Sequence, residues 1–180
     1  MELRGSKTEK NLWEAFAGES QARNKYTFFA AKARQDGYEQ IGAIFDDTAD
    51  NERAHAKIWF ELLMENGEIP DTLTCLRMAA AGENEEHTAM YPRMAAEAKE
   101  EGFTHIATLF KKVASIEKEH EERYLKLAQN IEDGTVFERP DIVIWKCANC
   151  GHIHVGTSAP EVCPVCAHPK AYFQLKAENY

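Results

Sequence analysis

The sequence lacks any apolar run approaching the roughly 20 residues of a membrane-spanning helix, so a soluble protein without a membrane partner is expected. It also lacks an excess of basic residues. With 30 acidic against 21 basic side chains the formal net charge is −9, which argues against a nucleic-acid partner, whose phosphates demand a basic surface. The first ten residues are polar and charged and have no apolar core of a secretion signal, so the expected compartment is the cytoplasm. Cysteine is limited to five residues, which in a reducing compartment read as metal ligands or inert thiols rather than disulfides. The remaining composition, 44% hydrophobic and 28% charged, is that of an ordinary folded chain. Its 180 residues suffice for a medium domain with a small appendage.

Glycine and proline are sparse across residues 8–133 and fall where breaks belong. The stretch is rich in Ala, Glu, Lys, Leu and Met, with apolar residues three and four apart, and it reads as helix. Asp36-Gly37 and Gly102 split long runs, and Gly67 with Pro70 ends another. Four helices follow, over about 8–35, 38–66, 74–101 and 103–132, each about 40–45 Å long at 1.5 Å per residue. Such lengths suit an elongated four-helix bundle. The short connections make the first two helices antiparallel neighbours, and likewise the last two. After residue 134 the pattern changes: 138–180 holds four of the six prolines, four of the five cysteines and short β-branched stretches. About 40 residues cannot bury enough apolar surface to fold alone, so a metal-stabilised second domain is expected at 138–180, after a helical domain at 1–137.

The helical region repeats itself. Ala17-Gly18-Glu19 recurs as Ala81-Gly82-Glu83, an offset of 64. Further along, Gly37-Tyr38 matches Gly102-Phe103, Phe45 matches Phe110, and Glu52-x-x-His55 falls on Glu117-x-x-His120, now at an offset of 65. Each copy thus carries one Glu on its first helix and Glu-x-x-His on its second. Residues i and i+3 share a helix face, and that face is apolar here. Glu52 shares its stripe with Ile41, Phe45 and Trp59, Glu117 with Ile106, Phe110 and Tyr124, Glu19 with Phe16 and Tyr26, and Glu83 with Leu76 and Met90. A single Glu on such a stripe is ordinarily a boundary residue reaching water. Four, related by a repeat and two of them followed by His, would repel one another in a shared core at a cost of several kcal/mol each. Divalent cations remove that conflict, and the pattern is that of a carboxylate-bridged dimetal bundle. The oxygen and imidazole ligands suit iron or manganese, with redox iron preferred.

The change of offset marks one extra residue between Glu83 and Tyr91 relative to Glu19 and Tyr26. An inserted residue inside a helix suggests a π-bulge, a feature common at functional sites. Glu86 lies in that stretch where the first copy has Ala22. Glu86 is either a fifth carboxylate presented by the bulge or a solvated member of the charged run at 83–87.

Cys147-x-x-Cys150 and Cys163-x-x-Cys166, 12 residues apart, form two metal-binding knuckles with turn residues Gly151 and Pro164. Four thiolates make a tetrahedral site. Zinc would make it a structural ribbon, the commoner case for such knuckles alone, and iron a one-electron carrier. Cys75 reads as an inert packed thiol, and His152, His154 and His168 as surface or loop residues.

The runs WKCANCGHIHVGT at 145–157 and APEVCPVCAHPKAYF at 159–173 resemble the rubredoxin-like end of rubrerythrins, and AGENEEHTAMYP at 81–92 resembles that family's third-helix motif. The likeness spans nearly the whole chain. It implies a mainly α protein, a ferritin-like four-helix bundle followed by a small rubredoxin-like β domain, and it tips the cysteine metal from zinc to iron. It further implies an oxo- and carboxylate-bridged pair of irons held by Glu19, Glu52, Glu83, Glu86, Glu117, His55 and His120, and one iron held by Cys147, Cys150, Cys163 and Cys166. One iron would exchange Glu86 for His55 on reduction, and Tyr26 and Tyr91 would hydrogen-bond the ligands. The implied activity is a peroxidase reducing hydrogen peroxide to water in oxidative-stress protection. An external reductase or rubredoxin would supply the electrons, in a head-to-tail homodimer. The rival readings are a ferritin-like iron oxidase or store, which would have no use for a carrier domain, and a metal-responsive or electron-transfer module with a zinc ribbon.

Overall fold

A computed structural model describes residues 2–179 and divides the chain into two compact units, Met1–Asp71 and Thr72–Tyr180. The first unit is a helical hairpin of α1 (Lys7–Gln35) and α2 (Glu39–Leu63). Ser6 caps α1, its hydroxyl accepting the Glu9 N–H at 3.1 Å and satisfying one of the unpaired amides of the first turn. The turn at 36–37 closes the helix with Gly37 at φ +88°, while the Tyr38 N–H donates to the Ala33 carbonyl at 2.9 Å. This is the left-handed cap that glycine adopts without a Cβ penalty. Small residues then let the two helices approach: Ala30, Ala33, Gly42, Ala49 and Ala56 are buried. A Cβ on Gly42 would lie 2.9 Å from Arg34 Cγ and 3.2 Å from the Ala30 carbonyl oxygen. Arg34 instead reaches across to Asp46 at 2.6 Å.

The second unit opens with the other hairpin: α3 (Thr72–Glu85), a π-helical segment (Glu86–Met90), α4 (Tyr91–Glu100) and α5 (Thr104–Glu132). It repeats the first hairpin down to its turn. Gly102 stands at φ +87° and the Phe103 N–H donates to the Ala98 carbonyl at 2.8 Å. Its seam is again alanine, with Ala80, Ala95, Ala98, Ala107 and Ala128 buried. The four expected helices are thus present, and the inserted residue is a π segment where the offset changes.

The same unit ends in a three-stranded antiparallel sheet of β1 (Glu138–Cys147), β2 (Ile153–Ser158) and β3 (Phe173–Leu175), in the order β2-β1-β3. Its core is small: Trp145, Cys147, Ala159, Cys163 and Phe173, flanked by Phe137, Val143 and Cys166. Trp145 Nε1 donates to the Gly156 carbonyl at 3.1 Å, tying β1 to β2. With two of the five core residues being cysteines, this sheet depends on what those thiols bind. Among the described residues, no helix is long and apolar enough to cross a membrane.

Candidate metal centres

In the first hairpin α1 supplies Glu19 and α2 supplies Glu52 and His55, and their ligand atoms all lie within 4.8 Å of one another. His55 Nδ1 is 2.8 Å from Glu52 Oε2 and 3.8 Å from Glu19 Oε1. The second hairpin repeats the cluster with Glu83, Glu117 and His120: His120 Nδ1 is 2.7 Å from Glu117 Oε2 and 3.7 Å from Glu83 Oε1. All four carboxylates are withdrawn from solvent, with side chains 14–29% exposed. Two carboxylates held this close with an imidazole alongside form a donor set for a transition metal. Each cluster fits one such ion.

Glu86 stands three residues beyond Glu83, at the start of the π segment. Burial, then Glu83, then Glu117 raise its carboxyl above the ordinary range. Glu86 is therefore near enough to Glu83 and Glu117 to feel their charge. The Tyr91 phenol is raised too, by burial and then by Glu86, Glu117 and Glu83, so it faces the same group. Tyr26 and Tyr91 occupy equivalent places, their ring centroids 6.1 Å from Phe45 and 6.0 Å from Phe110.

Sequence reasoning missed a bridge beside this cluster. Glu121 on α5 accepts from Asn84 Nδ2 at 2.9 Å through Oε1 and pairs with His87 Nε2 at 2.6 Å through Oε2. The His87 bond is the main cause of its lowered pKa. In the repeat Glu121 stands where the first copy has Ala56.

The four cysteines of the knuckles also gather within 4.8 Å, with Cys147 Sγ 3.7 Å from Cys166 Sγ and Cys150 Sγ 3.6 Å from Cys163 Sγ. A tetrahedron of thiolates about 2.3 Å from a metal has edges of about 3.8 Å, so the spacing fits one ion. The knuckles share one turn geometry. The Gly151 N–H donates to the Cys147 carbonyl and the Ala167 N–H to the Cys163 carbonyl, both at 2.9 Å. Gly151 has φ +79° and Ala167, the non-glycine counterpart, +57°. The His168 backbone N–H is the main cause that lowers Cys166 to about 6, helped by Asn149 and by the Cys150 and Cys163 thiols against burial. At Cys150 the His152 backbone N–H acts in the same direction, but burial and the three other thiols outweigh it and push the pKa up to about 12. One thiol ionises readily and another resists, so binding a metal here must release protons. None of His152, His154 and His168 joins the four-sulfur group; His168 packs edge-on against Tyr172 at 4.4 Å. Cys75 is half-buried and outside both kinds of cluster.

Repeated carboxylate–imidazole clusters on helical hairpins, followed by a four-thiolate sheet domain, define a non-haem iron protein with a diiron-type helical domain and a rubredoxin-like domain. Family models bear this out: "Rubrerythrin" matches residues 10–128 and "Rubrerythrin, rubredoxin-like domain" matches residues 145–174. The chain is 50% identical to the rubrerythrin of Porphyromonas gingivalis over 188 residues, covering 99% of this chain and 94% of that one. It is also 50% identical to the rubrerythrin of Nitratidesulfovibrio vulgaris, covering 99% and 98%. To nigerythrin of the same organism it is 37% identical, covering 92% and 85%. The chain belongs to the rubrerythrin family. Its cofactors are accordingly a pair of irons in the helical domain and one iron in the cysteine site.

Proposed function

We propose that this protein is a peroxidase that reduces hydrogen peroxide to two waters, with the cysteine domain relaying electrons to the helical domain. The observation that carries the reading is the presence, in one chain, of two Glu–Glu–His clusters and a four-thiolate site. In this reading the two hairpins close into one ferritin-like bundle, residues 1–137, and 138–180 form the carrier. Glu19, Glu52, Glu83, Glu86, Glu117, His55 and His120 hold the iron pair, and Cys147, Cys150, Cys163 and Cys166 hold the single iron. When bound, the iron pair would supply the two electrons, and the iron held by the cysteines would carry replacements from an external reductase or rubredoxin.

The chain's own groups do the rest. Splitting the O–O bond consumes two electrons and two protons, and both oxygens leave as water. Tyr91, raised above the ordinary phenol range, keeps its proton at neutral pH. It serves as a donor to the carboxylates it faces and as a proton source at its Oη. Tyr26 takes the equivalent place in the first hairpin. His55 and Glu86 would be the exchangeable members of the ligand set, a neutral imidazole and a carboxylate, so that the charge held by the protein could follow that of the metals. The working form is a cytoplasmic head-to-tail homodimer, the cysteine domain of one chain serving the helical domain of another.

The test is to reduce the iron-loaded protein without oxygen, add one equivalent of hydrogen peroxide, and follow the visible absorbance of both centres. Rapid oxidation of the diiron centre, followed by electron loss from the cysteine iron, supports the relay. A cysteine site that stays unresponsive removes the relay and leaves an iron oxidase or store.

A further inference from the structure

A π segment breaks the regular ladder of its helix, is rare outside functional sites, and needs support from a neighbouring element. Here the support is visible and one-sided. Asn84 lies two residues before Glu86 and His87 one residue after it, and both bond the same carboxylate, Glu121, one to each oxygen. Asn84 is tied at its other end as well, its carbonyl accepting the Thr88 hydroxyl at 2.6 Å. Glu121 stands next to His120 and one turn beyond Glu117 on α5. The His87 and Glu121 side chains are only 15% and 18% exposed, so their pairing is less screened than that of a surface pair.

The first hairpin supplies the contrast. At the repeat positions of Asn84, His87 and Glu121 it has Ser20, Arg23 and Ala56, and these line an open pocket of about 270 Å³. There α1 runs as regular helix with Ala22 in place of Glu86. The bridge therefore occurs in the copy that has the bulge and the extra carboxylate, and its place stands open in the copy that has neither.

We propose that Glu121 is a positioning residue which, by clamping Asn84 and His87 on either side of Glu86, holds the π segment so that the Glu86 carboxylate is presented to the metal. The inference rests on the reading of Glu86 as an iron ligand. A partner bonded directly to a metal ligand is worth about 10–100-fold in metal affinity, and Glu121, which acts through Asn84 and His87, is expected at the lower end, about 10-fold.

The experiment titrates the full-length, metal-stripped protein anaerobically with ferrous iron against a competing chelator. Mössbauer spectra of the loaded protein and amide exchange of residues 86–91 in the metal-free protein are recorded alongside. Glu121→Ala, which copies Ala56, is compared with Glu86→Ala and with Glu97→Ala, a control that breaks the exposed Arg93–Glu97 pair on α4. Glu121→Ala is expected to weaken one of the two helical-domain irons about 10-fold. It should shift that iron's quadrupole doublet as Glu86→Ala does and speed exchange across the π segment, while Glu97→Ala does none of these. Glu121→Gln, which keeps one acceptor oxygen, is expected to fall between and carries the test should Glu121→Ala not fold. Unchanged affinity and spectra in both Glu121 variants, with Glu86→Ala altered, would overturn the positioning role. Unchanged iron binding in Glu86→Ala would instead overturn the assignment of Glu86 as a ligand.

Discussion

The two helical hairpins are built on one plan, and their helices part in regularity at the π segment of the second. Their glycine turns stand at φ +88° and +87°, both seams are alanine, and the His–Glu distances within the ligand clusters agree to 0.1 Å. What the repeat preserves is the scaffold of a metal site. What it varies is one inserted residue within the π segment, near Glu86, where the first copy has Ala22, and near the Asn84–Glu121–His87 bridge. The two imidazoles also differ in exposure, 51% of the His55 side chain being accessible against 33% of that of His120. A symmetric scaffold with one asymmetric insertion gives two metal positions unequal surroundings, which a site that must gain and lose electrons can use.

The largest effect is expected where the hairpins are alike. Replacing Glu52 or Glu117 with Ala removes a ligand from equivalent clusters, and each change should lower ferrous iron affinity by more than about 100-fold, exceeding what an outer partner contributes. Iron stoichiometry after gel filtration checks this. Helix content by circular dichroism should be unchanged, because a carboxylate withdrawn from water without its metal opposes folding rather than supports it. If Glu52→Ala kept full iron and Glu117→Ala lost it, the hairpins would be alike in form alone.

A smaller effect is expected where they differ. Deleting Thr88 removes the inserted residue and lets α3 run into α4 as one regular helix, making the second hairpin like the first. The residues before the deletion keep their register, so Glu83 stays in its cluster, while Glu86 loses the turn that presents it and iron affinity falls about 10–100-fold. Tyr91 then takes the register of Tyr26. Retention of both irons with unaltered spectra would show that the bulge is incidental to the site.

Much of this was legible in the sequence because a repeat is self-checking. The pairing of Glu19 with Glu83, and of Glu52-x-x-His55 with Glu117-x-x-His120, identified the cluster residues, and the change of offset located the π segment within a few residues. The bridge was not legible. Asn84, His87 and Glu121 sit in charged surroundings that read as a solvated face, and only a fold that brings α5 alongside α3 joins residues 34 and 37 positions apart. The equivalence of Gly151 and Ala167 was hidden for a different reason. A positive φ at an alanine has no compositional signature, and Pro164 drew the eye to the wrong side of the second knuckle.

That knuckle gives the smallest and most local comparison. Both cysteine loops turn back through a left-handed residue, yet one uses glycine at φ +79° and the other alanine at φ +57°. An L-residue with a Cβ pays about 1 kcal/mol for that conformation, and glycine does not. Ala167→Gly should therefore stabilise the cysteine domain by about 1 kcal/mol, less whatever glycine's greater freedom in the unfolded chain takes back. Gly151→Ala should destabilise it by a similar amount. Both substitutions leave the four sulfurs in place, so the visible spectrum of the cysteine iron should not change, and only the temperature at which it bleaches should move. Bleaching at a higher temperature for Ala167→Gly and a lower one for Gly151→Ala would mean that the knuckles repeat in energy as well as in shape. If neither moved, the iron–sulfur bonds would set the stability of this domain so completely that backbone strain in its turns is not felt.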